Sequence, residues 1–205
     1  MKEKTVVSVI ALFMVCYLVL FSIIAVVQRN YEFLYYTGIM VIFIVIILVY
    51  YQQLHLPVSL IACLTILGVM HILGGNLYIN STKLYDTWLI PRFLKYDNLV
   101  HAFGTAIATL VAYNILQPKT ENGTHYRPFA FVLMLILIAM GIGALNEIVE
   151  FFAVVFLGAG RAVGDYFNNQ LDLVYNLIGS IIVSFFLYHH QKKHHAYRNA
   201  SGNKP

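Results

Sequence analysis

The sequence has little charge, few cysteines and no visible internal repeat. Only 11% of its 205 residues are Asp, Glu, Lys or Arg, whereas about a quarter of the residues in a soluble domain are charged. Its two cysteines, Cys16 and Cys63, lie in apolar runs as small hydrophobic residues, so they carry no information about redox compartment. The first apolar run is too long for the core of a signal peptide, and no A-x-A-like cleavage site follows it. These shortages exclude an ordinary soluble domain and favour a true membrane span at the first run.

Long apolar runs are what the sequence has in abundance. Hydrophobic residues make up 60% of the chain, and the mean hydropathy is +0.75. Runs of about 20 residues, the length of a membrane helix, occur at residues 6–27, 33–51, 57–78, 97–116, 129–157 and 170–189. The sequence therefore predicts an all-α polytopic integral membrane protein, a bundle of six transmembrane helices. We expect one membrane domain, residues 1–190, and a basic, disordered cytoplasmic tail, residues 191–205.

Basic residues in the connections predict the orientation of this bundle. Six spans place both termini on one side of the membrane, and eight of the 13 Lys and Arg residues fall in segments on that side. Because such residues are enriched in cytoplasmic segments, we expect both termini in the cytoplasm, with the chain in the plasma or inner membrane. The net charge of +4 comes mostly from loops and the tail, so it gives no indication of nucleic-acid binding. The longest connection, residues 79–95, is typical of a segment at the membrane interface.

Ionisable residues interrupt several of the predicted spans. A charged side chain at mid-bilayer costs roughly 2.5–3.5 kcal/mol and marks a functional site by default. The polar residues are His71 in the third span, Asp97 and His101 in the fourth, Glu147 and Glu150 in the fifth, and Asp172 with Asn176 in the sixth; Arg161 and Asp165 lie in the last loop. With a rise of about 1.5 Å per residue, all of them fall near the same membrane face. We therefore expect one shared site, open to the extracytoplasmic side and in contact with the lipid bilayer.

The residue types in this polar layer indicate a cation site. The acidic residues in this layer outnumber the residues that could carry a positive charge. Either some of the acids are protonated, therefore, or a divalent cation balances their negative charge. Histidine and carboxylate ligands together suit zinc, manganese or iron, and the predicted metal ligands are His71, His101, Glu147, Glu150, Asp165 and Asp172. The residues assigned to acid–base catalysis are Asp97, His101, Glu147 and Glu150, and those assigned to substrate contact are Arg161 and Asn176.

Structural roles stay open for the same residues. In a purely structural role, the two glutamates would form a pair bonded to Arg161, and the two histidines would link neighbouring helices through hydrogen bonds. Asp97 either orients His101 or interacts with the helix dipole. Three functions are consistent with the pattern: a metal-assisted hydrolase or transferase acting on a lipid or lipid-linked envelope substrate, a proton-coupled transporter, and a non-catalytic scaffold. The transporter is disfavoured because no repeat is visible and the acids lie on one side.

The polar residues also form an ordered set of short motifs. The set is His71-x-x-Gly74-Gly75, Tyr96-Asp97-x-x-x-His101-x-x-Gly104, Glu147-x-x-Glu150, Gly164-Asp165, and Gln170-x-Asp172 with Asn176 and Gly179. On these residues the chain resembles the YjdF-like prokaryotic inner-membrane proteins, a family without established function, and more loosely the VanZ-like proteins. The resemblance implies a multi-pass membrane protein, and the VanZ-like link to glycopeptide resistance points to the cell envelope. The chain departs from the pattern where related chains are expected to carry an aromatic residue, often tryptophan: it has Phe151 and Tyr166–Phe167 there.

Overall fold

Six long helices make up the bundle in the part of the chain that the structure describes. The structure, a computed structural model, describes residues 2–121 and 128–200, and among them the side chains of residues 5–50, 53–117, 128–160 and 163–190. The helices are α1 (Lys2–Val27), α2 (Tyr31–Val49), α3 (Tyr51–Leu54), α4 (Val58–Asn76), α5 (Tyr96–Glu121), α6 (Pro128–Leu157), α7 (Gly160–Val163) and α8 (Tyr166–Ala200). All except the short α3 and α7 contain a segment long and apolar enough to cross a membrane. The expected all-α membrane fold is therefore confirmed.

Local sequence explains where several of these helices begin and end. The Asn30 side chain accepts a hydrogen bond from the Phe33 N–H at 3.1 Å and so caps α2. Pro57 directly precedes α4, where its fixed φ suits a helix start. Gly158 and Gly164 have φ of 69° and 91° on either side of α7, a conformation that glycine adopts without steric cost. These two turns allow α8 to pack back against α6.

The connection between α4 and α5 contains two short β-hairpins. β1 (Tyr78–Ile79) pairs with β2 (Thr82–Lys83), and β3 (Trp88–Ile90) pairs with β4 (Leu94–Lys95), both antiparallel. Between the hairpins, the Tyr85 N–H donates to the Gly74 carbonyl at 3.1 Å, and the Asp97 N–H donates to the Tyr85 carbonyl at 3.3 Å. The segment expected at the membrane interface is thus tied to the end of α4 and the start of α5.

Helix α8 is longer than the sixth span predicted from the sequence. It continues through residues 191–200, into the segment expected to be a disordered tail, while residues 201–205 lie outside the described residues. The division of the chain at residue 190 into a membrane domain and a tail stays a prediction.

Small and polar residues fill the contact between α5, α6 and α8. A Cβ on Gly179 would overlap the carbonyl oxygen of Ala102, so α5 and α8 approach each other closely there. A Cβ on Gly143 would lie 2.7 Å from Nδ2 of Asn176, so α6 leaves room for that amide. The fully buried residues of this contact are largely polar: Asn98, Thr109, Asp172, Asn176, Ser180 and Ser184. This arrangement is typical of membrane helices, which contact one another through small and polar residues and present apolar side chains to the lipid.

Candidate functional site

His101 lies at the centre of a cluster of carboxylates. Its Nε2 is 3.6 Å from Oδ1 of Asp97, 3.9 Å from Oε1 of Glu150 and 4.0 Å from Oδ1 of Asp172. Its Nδ1 is 3.4 Å from Oε1 of Glu147. These five residues, called the His101 group from here on, come from α5, α6 and α8. Polar residues from three separate spans therefore meet in one place, as expected.

Helix spacing turns these side chains toward each other. Asp97 and His101 are one turn apart on α5, and Glu147 and Glu150 are one turn apart on α6, so each pair shares a helix face. Asp172 lies on the face of α8 that contacts α5. The group is well buried, because its side chains range from 1% exposed for Asp172 to 21% for Asp97.

Asp172 is held by two asparagines that the sequence analysis missed. Nδ2 of Asn98 donates to Oδ1 of Asp172 at 2.8 Å, and Nδ2 of Asn168 donates to its Oδ2 at 2.9 Å. The Lys95 ammonium donates to Oδ1 of Asn168 at 2.7 Å, so a cation is linked to the group through an amide. The role of Asn168 could have been predicted from the sequence, because Asn168, Asp172 and Asn176 are four residues apart and therefore share one face of α8. No comparable spacing in the sequence indicated a role for Asn98.

Two sets of side chains within the group have the spacing of a metal site. Asp97, His101 and Asp172 offer ligand atoms within 4.8 Å of one another, and so do His101, Glu147 and Glu150. The carboxylates outnumber the imidazole, and both oxygens of Glu147 are buried without a hydrogen bond among the described residues. Since an uncompensated buried charge is costly, the group is suited to hold a divalent cation or protons.

His71 has its hydrogen-bond partner outside the His101 group. Its Nδ1 and the Tyr85 hydroxyl share a hydrogen bond of 2.5 Å, and its ring packs edge-on against Tyr36 and Tyr85. Burial raises the pKa of the Tyr85 hydroxyl well above its usual value, so that residue is an uncharged partner. Within the described part of the chain, neither metal-capable set includes His71. Its predicted role as a ligand gains no support from this position.

The remaining predicted residues are placed in three different ways. Asp165 is exposed, and its Oδ1 accepts the Asn168 N–H at 3.0 Å, so its carboxylate caps the start of α8. Neither metal-capable set of described residues contains it. Asn176 is buried, and its Nδ2 has no hydrogen-bond partner among the described residues. Arg161 lies in α7, but its side chain is outside the described residues, so its assigned contact with an anionic group stays a prediction.

A family model matches most of the chain. The model is described as "Predicted membrane protein (DUF2238)" and matches residues 8–193, which contain the whole His101 group. No curated protein and no solved structure matches the chain. The family match supports the resemblance to the YjdF-like membrane proteins, whereas the looser VanZ-like resemblance stays an expectation.

Proposed function

The chain belongs to the DUF2238 family of membrane proteins, and we propose that it holds a divalent cation in the His101 group and acts as a metal-assisted hydrolase or transferase. The proposed substrate is a lipid or a lipid-linked molecule of the cell envelope, met from the extracytoplasmic side. One observation carries the proposal: Nε2 of a buried histidine faces carboxylate oxygens from three different helices.

The spacing around Nε2 suits an ion placed between the side chains. Two ligands about 2.1 Å from a tetrahedral ion lie about 3.4 Å apart. The distances from Nε2 to Asp97, Glu150 and Asp172 are 3.6, 3.9 and 4.0 Å, which exceeds hydrogen-bond length and lies close to that separation. His101, Asp97 and Asp172 already form one set with ligand atoms within 4.8 Å of one another, whereas Glu150 belongs to the second set and would have to move toward an ion bound by the first.

Glu147 takes a different role from the other acids. Its Oε1 is 3.4 Å from Nδ1 of His101, whereas the nearest contacts of the three other carboxylates are with Nε2. Metal-binding histidines usually donate their second ring N–H to a carboxylate or carbonyl, which sets the tautomer and the ring direction. We therefore assign Glu147 to orienting His101, and the other three acids to direct contact with the ion.

The ligand set narrows the choice of ion and the chemistry. Several carboxylates with one imidazole suit manganese and also accept zinc. Either ion, once bound, would supply a Lewis acid and an activated water at neutral pH. Glu147 is the carboxylate of the group that is not assigned to the ion, so it would accept the proton released during hydrolysis.

Metal binding by the purified full-length protein tests this proposal. Elemental analysis, followed by titration of the stripped protein with Mn²⁺ and with Zn²⁺, should show one ion per chain. Glu150→Gln and Asp172→Asn should each weaken binding at least about tenfold, because each removes a charged ligand. Glu32→Gln is the matched control, since Glu32 lies in the first turn of α2 and outside the His101 group. Protein that neither retains nor takes up an ion would remove the metal-assisted function.

Proton-coupled transport is the second candidate, and the Glu147 carboxylate favours it. Acids inside membrane helices commonly serve proton relays, and both oxygens of Glu147 are buried without a hydrogen bond from a described residue. Proteoliposomes loaded with a pH-sensitive dye separate the two functions. Proton flux through metal-free protein that is lost in Glu147→Gln would support the transporter, whereas metal binding without flux would support the enzyme.

A further inference from the structure

Lys95 connects the β3–β4 hairpin to both asparagines that hold Asp172. Its backbone N–H donates to Oδ1 of Asn98 at 3.0 Å, and its ammonium donates to Oδ1 of Asn168 at 2.7 Å. Each amide in turn donates from Nδ2 to a different oxygen of Asp172. One residue at the end of the hairpin is therefore linked to a buried carboxylate along two separate paths, each of two hydrogen bonds.

The direction of each amide decides whether it can hold Asp172. An asparagine amide keeps nearly the same shape when its oxygen and nitrogen exchange places, but only the nitrogen can donate to a carboxylate. Both donors of Lys95 face the oxygen ends of the two amides, so both nitrogen ends point toward Asp172. Reversal of either amide would bring two acceptor oxygens together and leave a buried carboxylate oxygen without its hydrogen bond, which is costly.

Further contacts hold Lys95 in this place. It pairs with Trp88 across the hairpin, and its ammonium lies 5.5 Å from the centre of the Trp88 ring, which is within the range of a cation–π interaction. The Tyr175 hydroxyl of α8 donates to the Phe93 carbonyl in the same hairpin. The hairpin is thus joined to α8 within one turn of Asp172, independently of the Lys95 ammonium.

We infer that Lys95 is a positioning residue of the His101 group, because it fixes the direction of both amides and, through them, of the Asp172 carboxylate. Its effect on an ion rests on the proposed cation site, where Asp172 is a ligand. The charge of Lys95 and its hydrogen bonds act on such an ion in opposite directions. A nearby positive charge repels a divalent cation, whereas a residue that orients a metal ligand strengthens binding. The sign of the change on removing the ammonium therefore decides between the two effects.

Mn²⁺ titration of three full-length variants in detergent tests the inference. Lys95→Met removes the donor from a side chain of similar length, so we expect the affinity to fall about tenfold, the usual cost of losing a residue that orients a metal ligand. Lys95→Arg keeps a charged donor and should retain most of the affinity. Lys83→Met is the matched control and should leave the affinity unchanged, since Lys83 is also half-buried but lies in the other hairpin, β1–β2. A folded Lys95→Met protein with wild-type or higher affinity, or equal losses in Lys95→Met and Lys95→Arg, would overturn the inference.

A double variant shows whether Lys95 acts through Asn168. Asn168→Leu already removes the amide that the ammonium directs, so adding Lys95→Met should weaken Mn²⁺ binding no further. The same proteins are then unfolded by heat in EDTA, where the double variant should lose less in Tm than the two single variants together. Losses that simply add in either measurement would overturn the positioning role. Wild-type protein that binds no ion would overturn the cation site itself, and the comparison in EDTA then decides the positioning role without it.

Discussion

Asp172 is the most constrained carboxylate of the His101 group at the scale of single residues. Each of its oxygens accepts a hydrogen bond from an asparagine, and its side chain is 1% exposed. We predict that Asn168→Leu lowers Mn²⁺ affinity about tenfold or more, because residues that orient a metal ligand typically contribute that much. Titration of the detergent-purified variant measures the change.

The matched control for this prediction is another asparagine that bonds outside the group. Nδ2 of Asn114 donates to the carbonyl oxygens of Leu54 and His55, so Asn114→Leu should leave Mn²⁺ affinity unchanged. Thermal unfolding of both variants shows whether either is destabilised. Wild-type affinity in a folded Asn168→Leu protein would contradict the orienting role.

Only part of the candidate site could be predicted at the residue scale. An acid inside an apolar run is conspicuous, so depth along the spans was sufficient to group Asp97, Glu150 and Asp172. The partner of His71 could not be foreseen, because Tyr85 reaches it only through the folding of the connection after α4. Asp165 belongs to the same membrane face as the group, but its carboxylate bonds to the backbone of its own helix start.

At the scale of helices, Gly179 determines how closely α5 and α8 approach. A Cβ there would overlap the carbonyl oxygen of Ala102, a backbone atom that cannot rotate away. We predict that Gly179→Ala lowers the free energy of unfolding by about 1–3 kcal/mol, the usual cost of overpacking. Thermal unfolding in detergent gives the shift. Gly38→Ala is the control, because a Cβ on Gly38 meets no atom within 4 Å; equal effects of the two substitutions would argue against a tight α5–α8 contact.

Helices were easier to predict than the connections between them. A membrane helix satisfies its own backbone over about 20 apolar residues, so composition alone located all six long helices. The hairpins β1–β2 and β3–β4 contain strands of two or three residues. Strands this short show no alternation of polar and apolar residues in the sequence, and their pairing depends on contacts between the ends of α4 and α5.

At the scale of the whole molecule, the polar chemistry lies toward one end of the bundle. The His101 group involves the start of α5, the second half of α6 and the start of α8. The hairpin connection and the turn around α7 join helices at that same end. Which side of the membrane this end faces therefore decides which compartment the site serves, and the distribution of Lys and Arg predicts the extracytoplasmic side.

Cysteine accessibility in intact cells tests that orientation. In a background with Cys16→Ser and Cys63→Ser, one new cysteine is placed in the hairpin connection at exposed Thr82 and, separately, one in the link before α4 at exposed Gln53. With both termini in the cytoplasm, a membrane-impermeant maleimide should label Thr82→Cys in intact cells and Gln53→Cys only after permeabilisation, because the two positions lie at opposite ends of α4. The reverse pattern would place the His101 group toward the cytoplasm and would rule out a substrate met from the envelope side.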